Sequence, residues 1–152
     1  MTSRLSSLAL AATLACAATF ATVARADDTA ALAAAAKEPG AVVTASGIVY
    51  KSIKDGSGAS PKATDVVKVN YRGTFVDGKE FDASAAHGGP ISFPLNRVIP
   101  CWTEGVQKLK VGGKAKLTCP SALAYGPRGA GNGEIPPNST LVFEVELVGI
   151  GG

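Results

Sequence analysis

The chain has 152 residues, of which 46% are hydrophobic and 18% charged, and it contains 18 glycines and 9 prolines. This length and composition suit one compact domain with many turns and leave little room for a second. The net charge of +3 is small, and the 15 lysines and arginines are scattered with no basic stripe, which argues against a nucleic-acid partner.

The first 26 residues have the pattern of a secretory signal peptide. Arg4 precedes a nearly charge-free stretch of Ala, Leu, Thr and Ser, which ends in the small-x-small pattern Ala-Arg-Ala before Asp27. We therefore predict cleavage after about Ala26 and export of the mature chain, with the periplasm as the expected location.

Other fates of this segment stay open. A permanent membrane helix is disfavoured because Ala, Ser and Thr stand where a spanning helix needs strongly apolar residues. A lipoprotein anchored at Cys16 is disfavoured because Thr13 stands where a lipid-attachment site prefers Leu. Release from the cell is a third alternative.

Cleavage would leave two of the three cysteines, Cys101 and Cys119. An even number of cysteines in an oxidising compartment favours a disulfide, which is the prediction. The alternative is a pair of buried thiols that pack as small apolar side chains.

Residues 27–46 are rich in alanine and predict two or three turns of helix. Asp28 or Thr29 is the candidate N-cap, and Lys-Glu-Pro-Gly at 37–40 is the stop. The segment has too few large apolar residues to build a dimerisation domain. We therefore assign it as a spacer before a domain at 47–152 and expect a monomer.

From Gly47 onward, apolar residues alternate with polar ones, which is typical of half-buried strands. Asp77-Gly78 predicts a two-residue hairpin turn. Residues 100–109 predict a short helix, because Trp102, Val106 and Leu109 fall on one face and proline is tolerated in a first turn. The predicted strands span 48–54, 65–76, 79–82, 91–95, 114–119 and 140–148.

These elements predict an α+β fold, in which an antiparallel sheet with one wet face wraps over one short amphipathic helix. Trp102, the only tryptophan, starts that helix. Four aromatic residues on inward strand faces could meet it in a single cluster: Tyr71, Phe81, Phe93 and Phe143. On patterning alone, an ordinary core explains the same residues.

The chain offers little for acid-base, metal or phosphate chemistry. His87 is the only histidine and has no second histidine or cysteine pair at metal-ligand spacing, so we expect no metal and no cofactor. Gly112-Gly113-Lys114 lacks the rest of a phosphate-binding loop, and no nucleophile elbow is present.

Residues 47–150 resemble the FKBP-type peptidyl-prolyl cis-trans isomerases, especially the small exported bacterial kind. Several long motifs occur in the family's order: VKVNYRGTFVDGKEFDAS, ISFPLNRVIPCWTEGVQKLKVGGKAKLTCPS, LAYGPRG and IPPNSTLVFEVELVGI.

The resemblance implies a curved antiparallel β-sheet wrapped around one short helix, with a proline-binding pocket between them. Trp102 would form the pocket floor, and the backbone N–H of Ile99 would take a substrate carbonyl. The loop bearing Ile135 would close over the peptide. By the same resemblance, the substrate-binding walls would be Phe81, Phe93, Val98 and Ile99, and the catalytic residues Asp82, Tyr125, Tyr71 and Phe143.

The resemblance also implies the activity: faster rotation about Xaa-Pro bonds in exported proteins, which assists their folding. Tacrolimus and rapamycin are the implied inhibitors. Rotation needs no covalent chemistry, since its barrier of about 18–20 kcal/mol comes from amide resonance. Two other classes stay open, a proline-peptide-binding chaperone module with little turnover and a purely structural β-domain.

Two positions depart from the family pattern. Cys101 stands where glycine is common before the tryptophan, so a bridge to Cys119 would lie close to the pocket floor and a redox effect on activity is conceivable. Residues 129–134 are polar where relatives often present apolar contacts. Substrate preference and macrolide affinity are therefore open.

Overall fold

The computed structural model describes residues 23–151, which form two α-helices and seven β-strands. In chain order the elements are α1 (Val23–Ala36), β1 (Ala41–Val43), β2 (Val49–Lys54), β3 (Val66–Phe75), β4 (Glu80–Ala83), β5 (Ile91–Pro94), α2 (Pro100–Val106), β6 (Lys114–Cys119) and β7 (Leu141–Ile150). Short 3-10 turns join several of them, among them Ser84–His87 and Leu95–Arg97.

All seven strands belong to one antiparallel sheet, in the order β1-β2-β6-β7-β3-β4, with β5 also paired to β3. One face of the sheet packs on α2. The predicted fold class, a curved antiparallel sheet around one short amphipathic helix, is confirmed.

The centre of the sheet is the long pairing of β3 with β7, in which Gly73 lies opposite Phe143. Both strands alternate buried and more exposed residues, as the period-two pattern predicts. The buried face of β7 is fully apolar: Leu141, Phe143, Val145 and Leu147. This face and the buried face of β3 form the apolar surface against which α2 packs.

Helix α2 carries the predicted apolar stripe but is shorter than predicted. Trp102, Val106 and Leu109 are all at most 5% exposed. The helix ends at Val106 because the N–H groups of Lys108 and Leu109 donate to carbonyls three residues back, at 3.1 and 3.0 Å. The periodicity thus located the buried residues correctly, while the tightened last turn shortens the helix.

A disulfide joins the first turn of α2 to the last residue of β6. Cys101 and Cys119 are fully buried, their Cα atoms lie 5.8 Å apart, and they are 18 residues apart in the chain. The predicted bridge is therefore present, and it lies next to Trp102. Closing a loop of this length is worth about 3 kcal/mol when the unfolded chain is constrained.

The segment assigned as a spacer contributes a strand. Residues Ala41–Val43 pair with β2, and the carboxylate of Glu38 bridges the ammonium groups of Lys51 and Lys116 at 3.1 and 2.9 Å. Residues 38–43 are thus held on the sheet by backbone pairing and by two ion pairs.

The start of α1 at Val23 precedes the cleavage position expected after Ala26. The preceding residues of the expected signal lie outside the described residues. Between Val23 and Gly151, no helix has the length and apolar character that a membrane crossing requires.

Candidate active site

A cavity of about 310 Å³ opens between α2 and the sheet. Its walls combine aromatic and aliphatic side chains with one carboxylate and one guanidinium. The lining residues are Tyr71, Phe81, Asp82, Phe93, Arg97, Val98, Ile99, Trp102, Tyr125 and Phe143. Every site residue expected from the sequence, except Ile135, lines this pocket.

Trp102 forms the pocket floor and is held by edge-on aromatic contacts. Its ring centroid lies 5.1 Å from Tyr71, 5.8 Å from Phe93 and 5.4 Å from Phe143, with interplanar angles of 75° to 87°. Such T-shaped pairs are favourable beyond the area they bury. The buried indole nitrogen has no hydrogen-bond partner among the described residues, so ring packing alone fixes the orientation of the indole.

Gly73 makes room for the second wall of the pocket. A Cβ at this position would lie 2.6 Å from Cζ of Phe81 and 2.9 Å from Cε1 of Phe143. Those two rings meet edge-on, with centroids 5.6 Å apart. The missing side chain at Gly73 therefore lets the aromatic wall close over β3.

The polar edge of the pocket centres on Asp82, whose carboxylate accepts three hydrogen bonds. Tyr71 donates its hydroxyl to Oδ2 at 2.7 Å. The backbone N–H of Ala83 donates to Oδ1 at 2.9 Å, and Nε2 of His87 lies 2.8 Å from the same oxygen. Both carboxylate oxygens are thus fixed in position at the rim of an apolar pocket.

These contacts keep the Asp82 carboxylate charged. Burial raises the pKa of Asp82, but the hydrogen bonds from Tyr71, His87 and Ala83 outweigh it and hold the pKa below its usual range. Burial and then the Asp82 contact raise the pKa of Tyr71. At neutral pH, the edge therefore consists of an anionic acceptor and a protonated phenol that donates to it.

Tyr125 stands at the same edge without a partner. It is 39% exposed, and its hydroxyl makes no hydrogen bond to any residue between 23 and 151. Partial burial, followed by the charge of Asp82, raises the pKa of Tyr125. The hydroxyl is a donor free to meet a ligand.

The backbone of Ile99 presents another free donor. Its carbonyl accepts bonds from the N–H groups of Trp102 and Thr103, at 2.9 and 3.1 Å. The N–H of Ile99 itself donates to no acceptor in the described part of the chain. Since Ile99 lines the pocket, this N–H can receive a carbonyl oxygen from a bound molecule.

Ile135 lies in the glycine-rich loop that is expected to close over a bound peptide, and its side chain is not among those that line the pocket. Ala130 and Ile135 exchange two backbone hydrogen bonds of 3.0 Å, which close the glycine-rich loop on itself. The Ile135 side chain is 7% exposed and packs in the core cluster. It is absent from the pocket lining because its side chain is buried in the core.

Two residues of the site were not foreseen as site residues. Arg97 lines the pocket from the 3-10 turn before α2, and its guanidinium forms no ion pair within residues 23–151. His87 contacts Asp82 from the turn after β4. The only available signal for His87 was its spacing, five residues after Asp82.

Comparison with known proteins agrees with this geometry. Residues 58–148 match the family model for FKBP-type peptidyl-prolyl cis-trans isomerases. The chain belongs to this family. The matched FKBP region contains every residue that lines the pocket, whereas α1, β1 and β2 lie before it.

Two relatives named FkpA show how similar the FKBP domain is in sequence and in structure. The chain is 57% identical over 119 residues to the FKBP-type peptidyl-prolyl cis-trans isomerase FkpA of Aeromonas hydrophila, an alignment that covers 78% of this chain and 44% of that protein. The crystal structure of FkpA from Escherichia coli superposes with a TM-score of 0.81 at 48% identity, covering 85% of this chain and 60% of the other.

A shorter relative matches nearly end to end. The crystal structure of a peptidyl-prolyl cis-trans isomerase from Pseudomonas syringae has a TM-score of 0.79 at 37% identity, covering 86% of this chain and 95% of that one. By contrast, the chain spans less than half of the FkpA protein of A. hydrophila. The FKBP domain is therefore the part that these proteins share.

Proposed function

We propose that this chain is a peptidyl-prolyl cis-trans isomerase that accelerates rotation about Xaa-Pro bonds in exported polypeptides and so assists their folding. The observation that carries the proposal is the aromatic pocket over Trp102, with an ionised carboxylate and two free donors at its edge. The pocket volume of about 310 Å³ suits a proline ring and the bonds that flank it.

The reaction explains why the site needs no nucleophile and no paired acid and base. Proline brings the cis and trans amides within about 1 kcal/mol, yet exchange takes tens to hundreds of seconds because resonance must be broken. A catalyst needs only to bind the twisted amide better than either planar form. A pocket poor in water favours the twisted form, since the planar amide is the more charge-separated and better hydrated species.

The aromatic residues would hold the substrate. Trp102 would lie under the pyrrolidine ring, with Phe81, Phe93 and Val98 as walls. Phe143 is proposed as a catalytic residue because it contacts both Trp102 and Phe81, where the amide would turn. The free N–H of Ile99 would bind the substrate carbonyl and so anchor one side of the rotating bond.

The polar edge would act on the other side of that bond. Asp82 and the free hydroxyl of Tyr125 would orient the substrate carbonyl as it turns. Tyr71 would contribute twice, through its ring against Trp102 and through the hydroxyl that fixes Asp82. Each group would orient the amide without exchanging a proton with it, so the loss of any one should reduce activity without abolishing it.

The loop around Ile135 would cover the bound peptide with its backbone. Ile135 anchors the loop from within the core, and the residues at the tip of the loop, 131–134, are polar and exposed. We propose that Ile135 supports substrate binding by holding this loop in place. Because the tip offers few apolar contacts, binding of tacrolimus or rapamycin should be weaker than pocket shape alone suggests.

We further propose that the protein is exported to the periplasm and works as a monomer on unfolded or folding proline-containing chains, without a cofactor. Export is supported by the signal-like pattern of residues 1–26 and by the Cys101–Cys119 disulfide, which persists in oxidising compartments.

The test is the cis-to-trans rate of a short Leu-Pro peptide, with and without the oxidised protein. Acceleration that tacrolimus blocks would support catalysis in the Trp102 pocket. Peptide binding without acceleration would show a proline-binding chaperone module. Absence of both, from a folded protein, would leave a structural domain and overturn the proposal.

A further inference from the structure

The ring of His87 is held beside the carboxylate of Asp82 by a short turn. The 3-10 turn Ser84–His87 follows β4 directly and ends at Gly88, whose φ of 93° is a conformation that favours glycine. At the start of the turn, the hydroxyl oxygen of Ser84 accepts a hydrogen bond of 3.0 Å from the backbone N–H of Tyr71. The turn is therefore tied to β3 and returns His87 to Asp82.

The contact survives either charge state of the ring. Nε2 of His87 lies 2.8 Å from Oδ1 of Asp82. A neutral imidazole that carries its proton on Nε2 donates this bond, and a protonated imidazole donates it as well. The ring is 52% exposed, so it exchanges protons with solvent. A change of pH therefore alters charge here more than geometry.

Few other charges act on this position. From β4, Glu80 is paired with Arg72 of β3 at 2.9 Å, and these two charges offset each other. The remaining charged residue on β3, Lys68, is exposed. Tyr71 and Tyr125 are neutral phenols with raised pKa values.

The charged residues that line the pocket itself are Asp82 and Arg97, of opposite sign. With a neutral imidazole, their two charges cancel at the rim. With a protonated one, the rim carries one excess positive charge. The balance of charge that an incoming peptide meets therefore depends on the protonation of one ring.

We propose that His87 is a positioning residue for the Asp82 carboxylate and that its proton sets the rim charge, so that preference for acidic over basic residues next to proline rises as the ring gains its proton. This inference rests on the proposed isomerase function. The substrate class it names is Xaa-Pro segments with a neighbouring Asp or Glu, handled best in mildly acidic surroundings.

Two substitutions separate charge from hydrogen bonding. His87→Gln keeps an N–H donor but has no charge at any pH, and His87→Arg keeps donors and stays charged throughout. Both exchange an exposed turn residue, so the pocket floor is untouched. His87→Gln thus mimics the neutral ring of the wild type, and His87→Arg mimics the protonated ring.

The experiment measures kcat/KM for Glu-Pro, Lys-Pro and Leu-Pro peptides from pH 5.5 to 7.5, where neither the Glu nor the Lys side chain changes charge. In the wild type, the ratio of Glu-Pro to Lys-Pro should be about fivefold higher at the acidic end, as expected for one unit charge acting at about 8 Å in water. His87→Gln should keep the low ratio and His87→Arg the high one. Added salt should shrink the effect.

A second readout ties the profile to this residue. His87 is the only histidine in the chain, so its ring proton gives one assignable NMR signal, and the midpoint of its titration should coincide with that of the ratio. A ratio that does not change with pH in the wild type, or equal ratios in the two variants, would overturn the inference while leaving the isomerase intact. Failure to accelerate even Leu-Pro would overturn both.

Discussion

Tyr71 and Asp82, on the paired strands β3 and β4, are joined by a 2.7 Å hydrogen bond from the phenol to Oδ2, at the rim of the pocket that Trp102 floors. The same tyrosine ring lies 5.1 Å from the indole, measured between centroids. One side chain thus connects the charged edge to the aromatic floor. A substitution that alters the Asp82 edge should therefore also affect the packing around Trp102, and the reverse.

Asp82→Asn should lower kcat/KM for a Leu-Pro peptide about tenfold, which corresponds to about 1.4 kcal/mol. That is the scale of a hydrogen bond to a charged group. Tyr71→Phe removes the donor but keeps the ring, so it should have a smaller effect in the same direction. Rates are compared for both variants and the double variant. Fully additive losses would show that the two groups act independently, against the geometry.

Gly73→Ala should damage the site without changing any polar group. The added methyl group must displace Phe81 and Phe143, since it would lie 2.6 and 2.9 Å from their rings. We expect a destabilisation of about 1–3 kcal/mol and a raised KM. Gly149→Ala is the matched control, because a Cβ there meets nothing within 4 Å. Urea unfolding and peptide kinetics measure both effects, and equal behaviour of the two variants would refute the close packing.

Reduction of the disulfide should lower the free energy of unfolding by about 2–4 kcal/mol. The oxidised protein, unfolded without reductant, should show no reactive thiol from Cys101 or Cys119. Titration with a thiol reagent, followed by urea unfolding with and without reductant, measures both. Two titrating thiols in the unreduced chain would show that the bridge does not form.

Glu38→Gln should loosen residues 38–43 from the sheet. Hydrogen bonds from Lys116 and then Lys51 hold the pKa of Glu38 below its usual range. The contribution of Glu38 to the free energy of unfolding is therefore fully present above the ordinary pKa of a glutamate. It is lost as the pH falls through the lowered pKa of Glu38. Because both ion pairs of Glu38 are partly exposed, Glu38→Gln should lower the free energy of unfolding at pH 7 by less than about 1 kcal/mol.

Thermal unfolding at pH 7 and pH 3 checks this, with Glu134→Gln as a control carboxylate that forms no ion pair in the described part of the chain. The gap between wild type and Glu38→Gln should narrow at pH 3. A gap that is unchanged or wider there would contradict the bridging role.

The parts of the fold that follow from local pattern were predictable from the sequence. Alternation located the buried faces of β3, β6 and β7, and the spacing of Trp102, Val106 and Leu109 located the buried side of α2. Strand β1 was not predictable, because three residues form a strand only through their pairing with β2 and the Glu38 ion pairs. Those are long-range interactions that no local window contains.

The residues of the site likewise fall into those that the local sequence pattern predicts and those that it does not. The inward-facing aromatic residues follow from alternation, whereas their assigned roles came from the family resemblance. Arg97 and His87 reach the pocket and its edge from 3-10 turns, whose side-chain directions have no sequence period. The burial of Ile135 in the core was not predictable, because it depends on the bridge from Ala130 to Ile135 within an irregular glycine-rich loop. The role of Ile135 in substrate binding stays a prediction.

The most direct test of catalysis in this pocket is exchange NMR on a Leu-Pro peptide at equilibrium, with a small amount of the oxidised protein. Trp102 is the only tryptophan, so its indole signal reports pocket occupancy in the same sample. We predict cross-peaks between the cis and trans peptide signals within seconds, together with a shift of the indole signal. A shifted indole signal with no cis-trans exchange beyond the uncatalysed rate would contradict the account.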